Sequence, residues 1–149
     1  MQLLIFTLGG DNFGIPLKEI GHIESRSDNI TELPAASAYI KGITTIRGDV
    51  VPIYNLASRF GYTEKELKYS IIVNMEGMKL IIEADSVKSV INTEEAEVLP
   101  LPLLLDGGSN YLKNIIMGKK KSLIILLDIK GLLSHEERKK INHIITENM

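Results

Sequence analysis

The chain has 149 residues, 17 basic and 19 acidic, for a net charge of −2. That is one domain's length, able to bury about two thirds of its unfolded surface. The balanced charge argues against a sequence-independent nucleic-acid binder. The lack of cysteine removes disulfides, thiolate metal sites and thiol nucleophiles together.

The N-terminal "MQLLIFTLGG" has no basic leader, and its apolar run ends too soon for a signal peptide. No apolar run is long enough to span a bilayer, so a cytoplasmic chain is expected. Within this opening, "LLIFTL" predicts a strand, closed by a turn at Gly9, Gly10, Asp11 and Asn12. A short helix is expected from Pro34 through Tyr39, stopping at Gly42 as its C′ residue. "GITTI" and "VVPIY" predict strands flanking a hairpin turn, with Arg47 held out beside Gly48 and Asp49. "SIIVNM" and "KLIIEA" predict a second hairpin about Glu76 and Gly77. Further turns are expected at residues 106–108 and 118–121, then a strand in "SLIILLDI". Ser134 and Glu137 form a capping box, and Ile141, Ile144 and Ile145 share one face of the helix that follows. The expectation is a mainly β chain with a few short helices and a C-terminal helix at 134–148.

The sequence also repeats itself. A shift of 67 positions lays Ile5 on Ile72, Gly10 on Gly77, Ile15 on Ile82, Ile20 on Val87 and Ile23 on Val90. With the shift grown to 72, "YIKGI" lies on "YLKNI", which pairs Gly42 with Asn114 in the same expected helix-ending role. Arg47 then falls opposite Lys119, giving each half a basic hairpin tip. A single domain, 1–149, made of halves 1–70 and 71–133 is expected, with a groove between them.

No reactive constellation emerges. The three histidines, His22, His135 and His143, lack metal-ligand spacing, and no G-x-S-x-G elbow is present. "MGKKKS" lacks the first glycine of a phosphate loop and reads as a solvated hairpin tip. Asp85 and Asp128, the acids singled out within apolar runs, read as turn caps or local partners. An interaction module without metal or cofactor is the expectation.

Five blocks in order, "FTLGGDNFGIPLKEIGHI", "LP", "YIKGITTIRGDVVPIYNL", "IIVNMEGMKLIIEADSVKSV" and "ILLDIKGLL", resemble the CheW family of chemotaxis coupling proteins from Leu3 to Leu133. The resemblance implies two five-stranded β-barrels related by a pseudo-two-fold axis. It implies a non-enzymatic scaffold that couples chemoreceptor cytoplasmic tips to the regulatory domain of the histidine kinase CheA. Such a protein would be cytoplasmic and drawn to membrane receptor arrays by its partners, with no membrane insertion of its own. Carried over by position, Ile20, Gly42, Arg47 and Val87 are implied to bind receptor, and His22 and Thr31 the kinase. Asn55 and Asn114 stand where many members have Asp and Gly. The same fold serving a pilus-motility or other chemosensory-like array is the alternative within this class. A single-strand nucleic-acid barrel would need stacking aromatics and a basic groove, and the chain has three Phe, five Tyr and no Trp. A hydrolase built on Asp85 and Asp128 would draw on non-equivalent positions of the two halves.

Overall fold

The computed structural model describes residues 1–32, 39–63, 67–95, 97–100, 112–118 and 122–147. Twelve strands occur among them, together with two α-helices and short 3-10 turns. The strands are β1 (Gln2–Leu8), β2 (Asp11–Pro16), β3 (Ile20–Ser25), β4 (Thr31–Glu32), β5 (Ile40–Ile46) and β6 (Asp49–Tyr54). The second six are β7 (Tyr69–Met75), β8 (Met78–Ala84), β9 (Ser86–Asn92), β10 (Glu97–Pro100), β11 (Leu112–Met117) and β12 (Leu123–Leu127). Helix α1 spans Leu56–Phe60 and α2 spans His135–Glu147.

They form two six-stranded sheets, ordered β10-β11-β12-β2-β1-β9 and β4-β5-β6-β8-β7-β3. Moving six strands along the chain converts the second order into the first, once hairpin β7-β8 is matched to β1-β2. Two copies of one unit give this order when each lends its hairpin to the other. The lent hairpins join by parallel ladders, β2 to β12 and β8 to β6. The irregularities repeat as well. Gly21 of β3 and Lys88 of β9 are each skipped in the ladder to the neighbouring strand. Lys41 and Lys113 are skipped likewise in β5 and β11. The sixth strand of each sheet is a short edge piece, β4 or β10, beyond the five expected per barrel.

Alternation along the strands buries both faces. Leu4, Phe6 and Leu8 of β1 meet Ile71, Val73 and Met75 of β7 in one central cluster between the sheets. Leu3 and Ile5 turn to a second cluster with Ile124 and Leu126, and Ile72 to a third with Val51, Ile53 and Ile81. The strands missing from the sequence reading, such as "DNFGIP" and "SVKSVIN", carry polar or glycine positions that break the apolar run. Their β character comes from cross-strand partners.

The expected capping box is present. Ser134 Oγ accepts from Glu137 N at 3.1 Å, and Glu137 Oε1 accepts from Ser134 N at 3.0 Å. Ile141 is buried, with Ile144 and Ile145 packed on the central cluster. Arg138 ties α2 to the β7-β8 turn through Glu76 at 2.6 Å.

Two local expectations change. Gly42 lies inside β5, not at a helix end, and its φ is not positive. Its need is steric: a Cβ there would collide with the Thr31 carbonyl oxygen and stand 2.9 Å from Ile30 Cγ2. Asn114 likewise lies within β11. The expected helix over 34–39, the turn at 106–108 and the Lys119 tip lie outside the described residues, apart from Tyr39.

Candidate functional site

The β5-β6 hairpin closes on two residues, Arg47 at φ 51° and Gly48 at φ 85°, with Asp49 already in β6. Positive φ at both central positions matches the right-handed strand twist, and Gly accepts it freely. Arginine does not, and a non-glycine residue held there stores on the order of 1 kcal/mol. The side chain is 68% exposed, and its Nε donates to Glu24 Oε1 at 3.2 Å. Asp49 pairs with Lys79 at 2.8 Å on the adjoining hairpin.

Glu24 reaches a second sequence-predicted residue. His22 Nε2 stands 3.4 Å from the same Oε1, a charge contact only with a protonated ring. His22 lies opposite Ile72 and Glu24 opposite Ser70, on the sheet face away from the central cluster. Glu24 therefore gathers His22 and Arg47 into one patch. Sequence reasoning passed over this residue, whose only local signal is its position two residues beyond His22.

Ile20 faces the other way. Skipping Gly21 shifts the alternation, so Ile20 and Ile23 lie opposite Val73 and Ile71 of the central cluster. Skipping Lys88 does the same on β9, where Val87 and Val90 lie opposite Phe6 and Leu4. Ile20 and Val87 pack half-buried on that one cluster, while Ile23 is 38% and Val90 45% exposed. Two edge strands thus border the central layer with matching aliphatic pairs.

Gly42 and Thr31 form a third group. Thr31 is exposed on β4 opposite Ile43, and the bare Gly42 lets β4 approach β5 closely. The six predicted site residues therefore fall into three places: Ile20 with Val87, His22 with Arg47, and Thr31 with Gly42.

No group of three or more His, Asp or Glu side chains able to hold a metal occurs among the described residues. Asp85 Oδ2 accepts from Gly9 N at 2.7 Å, and Asp128 Oδ1 accepts from Lys130 N at 3.2 Å, so both cap turns. His135 and His143 are exposed on α2. Tyr62 is pushed up to about 12, first by burial and then by its hydrogen bond to the Asp11 carboxylate, which favours the neutral phenol. No helix among the described residues is long and apolar enough to cross a membrane.

Residues 2–137 match the profile of the CheW-like domain. The chain is 31% identical to the chemotaxis protein CheW of Treponema pallidum, over 96% of this chain and 88% of that one. Against CheW of Klebsiella aerogenes the identity is 30%, over 96% and 87%. Protein FrzA of Myxococcus xanthus is 24% identical, over 94% and 89%. Among solved structures, the scaffolding protein TtCheW of Thermoanaerobacter tengcongensis superposes with a TM-score of 0.75 at 22% identity, covering 91% of this chain and 94% of that one.

Proposed function

Because the chain belongs to the CheW-like domain family, we propose that it is a non-enzymatic adaptor of chemotaxis signalling, coupling chemoreceptor cytoplasmic tips to the histidine kinase CheA. The observation that carries this reading is the matched pair of edge strands. Ile20 and Ile23 on β3, with Val87 and Val90 on β9, border one central layer and leave aliphatic surface uncovered. An amphipathic helix is the partner such a surface suits, because apolar anchors three and four residues apart lie along one side of it. The receptor tip supplies that helix. The opposite face of β3 is the kinase-facing surface, with His22, Glu24 and Arg47 together and Thr31 on the neighbouring β4 edge. Arg47, placed with the receptor positions on resemblance, belongs with the kinase in this reading because its partner is Glu24. The adaptor works in the cytoplasm and reaches the membrane array through these partners.

Calorimetric titration with a soluble receptor-tip fragment and the CheA regulatory domain tests this. Ile20→Asp and Val87→Asp each place a charge against the half-buried cluster, and each is expected to weaken the tip at least about tenfold. Kinase-domain binding stays within about twofold. A wild-type protein that binds neither partner overturns the proposal.

A further inference from the structure

Glu83 is a buried acid with no place in the adaptor reading. It is 3% exposed on β8, between Ile82 and Ala84, which face the central cluster while Glu83 faces away. Its Oε2 accepts from Arg26 Nε at 2.6 Å, and its Oε1 accepts from Lys41 Nζ. Lys41 is the skipped residue of β5, and Arg26 opens the connection from β3 to β4. The next residues are also held by side chains. Thr44 Oγ1 lies 2.8 Å from Ser27 Oγ and donates to the Asn29 carbonyl at 2.8 Å. β3 and β4 are the two ends of their sheet's strand order, and no backbone ladder joins them among the described residues.

At the corresponding edge of the other sheet the key residue types are replaced. The repeat places Pro16 where Glu83 stands, and Ile116 where Thr44 stands. Beside β9 lies an open cleft of about 600 Å³ lined by Asn12, Lys88, Val90 and Ile124 among others. Among the described residues, the seam tied across by charge is that of the sheet carrying His22, Arg47 and Thr31.

We propose that Glu83 is a positioning residue for the partner-facing edge: clamping Arg26 and Lys41, it fixes the 26–32 segment between His22 and Thr31 as one preformed surface. The function assigned to that surface rests on the adaptor reading; the clamp does not. An ion triad about a buried carboxylate is a weak source of stability, since apolar side chains of similar volume often replace one without loss. Its value lies in admitting one arrangement. An apolar triad would fill the same space while leaving segment 26–32 free to slide, because dispersion contacts have no direction.

The test compares wild type with Glu83→Gln and with the triple variant Arg26→Met, Lys41→Met, Glu83→Leu. Amide hydrogen exchange and a melting curve are measured on each. The triple variant is expected to melt no lower than wild type, while amides of 26–32 exchange at least about tenfold faster and those of β7 are unchanged. It carries the test if Glu83→Gln, which takes the carboxylate from two half-buried cations, fails to fold. Exchange over 26–32 equal to wild type, or rising only in step with β7, overturns the proposal. With loosened 26–32, binding of the CheA regulatory domain falls about tenfold and receptor-tip binding holds. Undiminished kinase binding by the loosened triple variant also overturns the positioning role. A wild-type protein that never binds the kinase domain refutes the adaptor reading alone, because the exchange result still decides the clamp.

Discussion

Replacing Arg47 separates its structural role from its partner-facing one. The Arg47–Glu24 pair is 68% and 34% exposed at 3.2 Å, and such pairs contribute about 0.2–1 kcal/mol. Arg47→Ala loses that small term and keeps the left-handed strain, so stability falls by at most ~1 kcal/mol. For a chain of this length that is a melting shift of roughly 3 °C. Arg47→Gly goes further. It loses the same ion pair but relieves on the order of 1 kcal/mol of backbone strain at φ 51°, so it melts at or slightly above wild type. Both variants remove a guanidinium held by Glu24 at the proposed kinase surface. Losing such an anchor costs about 2 kcal/mol at a hot spot, roughly a thirtyfold weaker complex. The assay is calorimetric titration of the CheA regulatory domain and of the receptor tip, with melting curves alongside. The expected pattern is a kinase affinity down about thirtyfold, an unchanged tip affinity, and Gly melting above Ala. Full kinase affinity in both variants would refute the surface assignment. A Gly variant melting below the Ala variant would refute the strain argument.

Two further outcomes follow from the fold. Gly42→Ala forces a Cβ against the Thr31 carbonyl, and overpacking of this kind costs about 1–3 kcal/mol, lowering the melting temperature by roughly 3–9 °C; a shift under about 1 °C contradicts the packing. Glu76 is held below its ordinary value of 4.5, first by its hydrogen bond from Arg138 and then by that residue's charge. The unfolded chain therefore takes up this proton first. The contribution is complete above about pH 4.5 and is lost as the pH falls through the lower folded value. Urea unfolding at descending pH is expected to show a shallower acid loss for Glu76→Gln than for wild type, and parallel profiles rule the linkage out.

Much of the architecture was legible because it is written in short-range pattern. The β-branched runs gave six strands, the capping box gave the start of α2, and Ile141 gave its buried side. The repeat lays Ile20 on Val87, and each stands immediately before a residue skipped in its ladder. What escaped was tertiary. Gly42 resembles a helix stop in sequence, because nothing local tells a glycine that ends a helix from one that admits a neighbouring strand. Glu83 stands inside "KLIIEA" as plainly as Asp85 beyond it, but its partners lie 57 and 42 residues away. Arg47 was visible as a turn residue, while its closeness to His22 depends on Glu24 and on β3 and β5 being brought together.

The exchanged hairpins bear on how the chain is made. β2 completes its sheet through a parallel ladder to β12, so Phe13 finds Ile125 only after the strands between them have been synthesised. At roughly 5–20 residues per second, the wait on the ribosome is on the order of 10 s. Throughout it β2 presents an unpaired edge, its ladder to β12 still missing. An unpaired edge of that kind is a template for another strand. Two such chains emerging side by side could each accept the other's hairpin, giving an entwined dimer with every native ladder intact.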